Sequence, residues 1–102
     1  MNVKTFKIGE YAKGGVITVE INGWGNNIIT VIGKNWDTSK GFSKNSNQSN
    51  AKEFTRKTFM ADNTHVKSDL FMFLTDLTTA YYADQIREWI ESKTKLAGSR
   101  WL

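Results

Sequence analysis

NGWGNNIITVIGKNW, Asn22 to Trp36, decides how the rest of the chain is read. Its first six residues hold three Asn and two Gly, the composition of a hairpin connection. Ile28 to Trp36 then reads as a strand, and its apolar run, Ile28 to Ile32, is broken only by Thr30. Apolar residues of both parities in one strand mean that both faces are covered near its middle. Trp24 falls inside the connection or at the base of the strand, and Trp36 closes it. The residues alone leave two roles open for these rings: finishing the core at the strand ends, or forming a surface on which another ring stacks.

Outward from this strand the period stays at two. Thr5 to Tyr11 reads as a first strand, and Lys13-Gly14-Gly15 marks a turn. Val16 to Ile21 alternates, with Ile17, Val19 and Ile21 on one face and Thr18 and Glu20 on the other. Asp37 to Lys52 is a long loop rich in Ser, Asn and Lys, and Glu53 to Ala61 is a fourth strand. After Asp62-Asn63-Thr64, whose side chains offer helix N-cap oxygens, the period becomes helical. Val66, Leu70, Phe73, Leu74 and Leu77 lie on one stripe, which Tyr81, Ile86, Trp89 and Ile90 extend. Weak helix formers from Thr78 to Tyr82 predict a break or kink between Thr78 and Asp84, and Gly98 suits a position beyond the last turn. The expected fold class is α+β: one domain over 1–102, with a four-stranded antiparallel curved sheet in 1–61 followed by a helical segment over 62–97.

Several classes of chemistry have little support. There is no cysteine, and the only histidine, His65, has no cluster of metal ligands around it, so no metal, cofactor or enzymatic activity is expected. Gly23-Trp24-Gly25 lacks the third glycine and following helix of a dinucleotide fingerprint. Asn47-Gln48-Ser49 matches a glycosylation sequon without a signal segment to give it meaning. The expected setting is the cytoplasm (the host's, for a phage protein) or the nucleus in a eukaryote, with no membrane contact.

Charge points to a partner. The net +4 divides unevenly: residues 1–60 hold nine Lys and Arg against four Asp and Glu, and the remainder holds five against six. A basic sheet half next to a near-neutral helical half suits a polyanion, although solubility alone also explains basic residues. Lys34 shares the parity of Trp36, Arg56 and Lys57 sit in the fourth strand, and Lys40, Lys44 and Lys52 lie in the loop. Rings beside cations on a sheet suit single-stranded nucleic acid, where bases stack and cations follow phosphates. The nucleic-acid-binding set is then Trp24, Lys34, Trp36, Lys40, Lys44, Lys52, Arg56 and Lys57. The helical half has more apolar surface than one sheet can cover. Leu70, Phe73, Leu77, Tyr81 and Trp89 are therefore expected to pack against a second copy in a homodimer, or to dock the chain on another protein.

Phe6-Lys7-Ile8-Gly9-Glu10-Tyr11 resembles the opening strand of the transcriptional coactivator family called positive cofactor four. Trp24 and Trp36 resemble that family's ridge aromatic and strand-closing tryptophan, at the same interval. Arg56-Lys57 resembles its basic pair, with Phe59 and Asp62-Asn63 following at matching places. The likeness spans roughly residues 5–90. It implies a homodimer joined through its helices, whose curved sheets bind single-stranded DNA with little sequence preference. Bacterial and phage members would act in replication, recombination or transcription, alongside proteins of those processes, and an RNA-binding version is compatible. This chain departs from the family in its longer loop, in Gly33 where an arginine would face nucleic acid, and in its longer helical tail. The basic residue before the Arg-Lys pair has only Lys52 nearby.

Overall fold

Strict side-chain alternation in four strands produces a sheet with two different faces. The computed structural model describes residues 1–9, 15–36 and 51–98. Strands β1 (Asn2–Gly9), β2 (Gly15–Asn22), β3 (Ile28–Trp36) and β4 (Ala51–Met60) form one antiparallel meander in the order β1-β2-β3-β4. Two helices follow, α1 (Val66–Leu77) and α2 (Ala80–Lys93), so the fold is α+β.

Register assigns the faces. Phe6 pairs with Ile17, Val19 with Val31, Ile21 with Ile29, and Ile29 with Phe59. Together with Ile8 these residues join Val66, Leu70, Leu74, Ala83, Ile86 and Ile90 in a single core. The spacing 66, 70, 74 on α1 and 83, 86, 90 on α2 is one stripe per helix, laid on the sheet. Val16, Thr18, Thr30 and Ile32 point the other way and are buried too, so β3 is covered on both faces as its double-parity run requires. That second face carries hydroxyl pairs: Thr5 with Thr18 at 3.0 Å and Thr30 with Thr58 at 3.3 Å.

Each helix is seated on an outer strand by an edge-on aromatic contact. Trp89 of α2 meets Phe6 of β1 with ring centroids 6.1 Å apart, and Phe73 of α1 meets Phe59 of β4 at 5.8 Å. Such pairs add about 0.5–1.5 kcal/mol beyond their buried area. Lysines cover both: Lys4 lies 5.0 Å from the Phe6 ring, and Lys57 lies 5.4 Å from Phe59 and 5.8 Å from Phe73.

The boundaries differ from the sequence reading in instructive ways. β1 occupies Asn2–Gly9 rather than Thr5 to Tyr11, and Glu10 to Gly14, including the start of the Gly14-Gly15 turn, lie outside the described residues. β4 begins at Ala51, taking in Lys52, while 37–50 of the expected loop lie outside the described residues. The helical segment does break, at Thr78 and Thr79, where Thr78 turns extended and its N–H still bonds to the Leu74 carbonyl at 2.9 Å. No side chain caps α1. Asn63 Oδ1 instead accepts the His65 N–H at 2.8 Å, one step before the helix. Gly98 does not end α2, which stops at Lys93. It lies five residues on, at φ +96°, where a Cβ would come 2.9 Å from the Thr64 carbonyl oxygen.

Burial separates two neighbours on α1 whose hydrophobicity is similar. Leu70→Ala will destabilise the chain by about 2–5 kcal/mol in urea unfolding, because Leu70 is fully enclosed. Met72→Ala will change monomer stability by no more than about 0.5 kcal/mol, since Met72 is 57% exposed.

Candidate nucleic-acid interface

The connection between β2 and β3 is a single 3-10 turn, Trp24–Asn26, built from backbone conformations that most residues avoid. Gly23 and Gly25 sit at φ +85° and +68°, and Asn26, a residue that tolerates this region, at +56°. The Asn26 N–H donates to the Gly23 carbonyl at 3.1 Å, and its side-chain amide donates to the Lys93 carbonyl at 3.3 Å. Gly23, at φ +85°, holds a backbone conformation that a residue with a Cβ rarely adopts, so a glycine suits the turn there. The turn therefore has a fixed shape and is tied to the end of α2. On it Trp24 is 97% exposed, which rules out a place in the core of the single chain. Leaving an aromatic ring of this size in water forgoes on the order of 2 kcal/mol of burial.

Trp36 pairs with Ala51 at the far end of β3. Its side chain, and all of Lys40 and Lys44, lie outside the described residues. Ile28 to Trp36 spans eight residue steps, about 26 Å at the usual strand rise. The two tryptophans thus stand at opposite ends of one strand.

β4 splits the basic pair. Arg56 pairs with Ile32 and lies on the face away from the helices, while Lys57 pairs with Val31 and lies on the helix side. The Lys57 ammonium rests over Phe59 and Phe73 at the edge of α1, near Asp69 and Asp76. Arg56 is itself engaged: its Nη2 donates to Glu53 Oε1 at 2.8 Å and its Nε to Oε2 at 3.1 Å. These bonds hold the Glu53 carboxyl below the ordinary glutamate value, with the Arg56 and Lys34 charges adding to the effect, and push the Arg56 guanidinium up. Lys34, opposite Glu53 in the register, is half-buried, and Lys52 is exposed opposite Asn35. Arg56, Thr58 and Met60 form an exposed strip on this face leading to Ile28 and the Trp24 turn.

Phe54 was not among the residues singled out from the sequence. A register shift between Gly33 and Lys34 places Phe54 and Thr55 against Gly33, where a Cβ would come 2.9 Å from Phe54 Cζ. The ring lies across the glycine and stays 55% exposed. Its signal was available: an aromatic opposite a strand glycine is a recurrent device for covering bare backbone.

The expected dimer residues fall into two groups. Leu70 is spent in the chain's own core, Phe73 and Trp89 are held by Phe59 and Phe6, and Leu77 is half-buried beside them. Tyr81 is 68% exposed, with its ring edge-on to Tyr82 at 5.2 Å. The large apolar residues still exposed on the helices are Met72 and Tyr81. Among the described residues no three His, Cys, Asp or Glu side chains gather as a metal site, and His65 lies exposed. No helix among them is long and apolar enough to cross a membrane.

The Arg56–Glu53 pair sets a titration. Glu53 will titrate below the ordinary glutamate range, and in Arg56→Gln it will return to that range, as followed by carboxyl NMR shifts. A depressed folded-state pKa stabilises the fold above the unfolded glutamate value and fades as pH falls below it. Both groups are solvent-exposed, so the change in stability will be slight. No protein-family model, no curated protein and no solved structure matches the chain.

Proposed function

We propose that this protein is a non-enzymatic, sequence-tolerant binder of single-stranded DNA that acts in replication, recombination or transcription. The observation that carries the reading is Trp24, 97% exposed on a turn whose shape is fixed by two glycines and tied to α2. A solvated indole carried on a turn of fixed backbone is a stacking platform, and every base has a face to offer it. The exposed strip of β4 supports the path of the strand, with Arg56 and Lys34 as phosphate partners and Trp36 at the far end of β3. Arg56 exchanges Glu53 for a phosphate on binding. Lys57 contributes at most from the helix side, through long-range charge. Stacking tolerates either sugar, so RNA is a second ligand of the same site.

The chain acts as a homodimer in this reading, joined through the helix surface that leaves Met72 and Tyr81 exposed. That same surface favours a second function, docking on a replication or transcription protein, with the sheet serving only as scaffold.

Titration with oligo-dT, followed by tryptophan fluorescence at low and moderate salt, tests the first reading. Wild type will bind with quenching. Trp24→Ala will keep its fold, having lost no buried contact, and will lose about 1–3 kcal/mol of binding. Arg56→Ala will weaken binding and lower the salt slope by about 0.7. Wild-type protein that shows no binding at low salt would end the nucleic-acid reading.

Sedimentation tests the helix surface separately. Tyr81→Asp will shift the protein from dimer to monomer with unchanged circular dichroism. A wild type that is monomeric at all concentrations contradicts the dimer.

A further inference from the structure

The segment after α2 is held in place as carefully as the Trp24 turn. α2 ends at Lys93, Thr94 is extended, and the Ala97 N–H donates to the Ala61 carbonyl at 2.8 Å. Ala61 in turn donates to the Asn27 carbonyl at 2.8 Å, so the tail is bonded to the β3–β4 end of the sheet. Gly98, at φ +96°, lets the tail lie against the Thr64 carbonyl, where no other residue leaves room. The outcome is a pair of adjoining grooves that share Thr94, Lys95 and Leu96. One reaches Gly25 and Asn27, beside Trp24, and the other opens onto Lys67, Lys93 and Lys95.

The charges in this channel are unequal. Lys67, Lys93 and Lys95 line it, against Glu91 and Asp62. Glu91 is already bonded through Oε1 to Arg87 Nη1 at 3.0 Å. Among the described residues the Lys93 ammonium meets the Trp89 ring, 6.0 Å away, a weak contact that a phosphate can replace. The larger groove, of about 540 Å³, is open and polar, which suits a chain passing through better than an enclosed small molecule.

We infer that this channel is a second phosphate-binding segment of the interface, in which Lys67, Lys93 and Lys95 hold the backbone of the strand whose base stacks on Trp24. The inference rests on the nucleic-acid reading and extends it. It carries the strand off the sheet, around the end of β3 and along the tail of α2, to residues that neither the charge of the sheet half nor the family likeness marked.

The test compares wild type with a Lys67→Gln, Lys93→Gln, Lys95→Gln variant in oligo-dT titrations across a salt series. The variant will bind at least tenfold more weakly at low salt. Its slope of log K against log salt will fall by about 2, at roughly 0.7 per phosphate on a single strand. In parallel, wild-type protein is treated with an acetylating reagent with and without oligo-dT, and the lysines are read by mass spectrometry. The DNA will protect Lys67, Lys93 and Lys95, and this measurement needs no substitution that could disturb the fold. Wild type that binds oligo-dT while these lysines stay unprotected, or a folded variant whose slope is unchanged, overturns the inference and leaves the sheet reading standing. Inorganic phosphate that protects the lysines as well as DNA at equal phosphate concentration overturns it also, because the channel then takes an ion and no strand. Wild type that fails to bind at all removes both.

Discussion

A four-stranded sheet has to close one apolar face, and here two helices of 12 and 14 residues are the lid. They reach across it because each is pinned over an outer strand by a pair of rings, Trp89 on Phe6 and Phe73 on Phe59. The break at Thr78 and Thr79 gives each helix its own seat, since one straight helix would follow a single line across the sheet. With that face filled, whatever the protein binds must use the other face, the strand ends, or the outer surfaces of the helices.

This constraint sorts the cations. Neighbouring residues in a strand point to opposite sides, so Arg56 and Lys57 cannot serve one surface together. Lys57 becomes part of the lid, its ammonium over aromatic rings, and Arg56 is left exposed on the opposite face in the grip of Glu53. The basic character of the sheet half is real as composition and thinner as geometry. Among the described residues, Lys7, Lys34 and Arg56 share the second face with Glu20 and Glu53, around a centre of buried Val16, Thr18, Thr30 and Ile32.

The sequence made the fold legible wherever a pattern repeats. β2 and β3 are placed to within a residue by alternation and by the double-parity run, and the helix stripe and its break follow from spacing and weak helix formers. What spacing cannot carry is a choice among equivalent local bonds. Asp62, Asn63 and Thr64 all offered cap oxygens near the start of α1, and only the structure shows that Asn63 holds the turn while His65 takes the cap position without a side-chain bond. At the site, the opposite faces of Arg56 and Lys57 were implicit in the strand period and obscured by reading the two as a family pair. Trp24 was undecidable, because a turn-rich loop can fold inward or outward until its backbone angles are known. The tail lysines gave no signal at all: they line a groove that exists only because Gly98 and Ala97 bring distant segments together.

The meander order has a consequence for how the chain assembles and varies. Every strand neighbours its successor, so pairing proceeds by short closures, which favours fast folding. The longest of these steps joins Trp36 to Ala51. The entropy of closing such a loop grows only with the logarithm of its length, so doubling the connection costs about 0.6 kcal/mol. Length by itself, in the connection between β3 and β4, is therefore a small term in the stability of this fold.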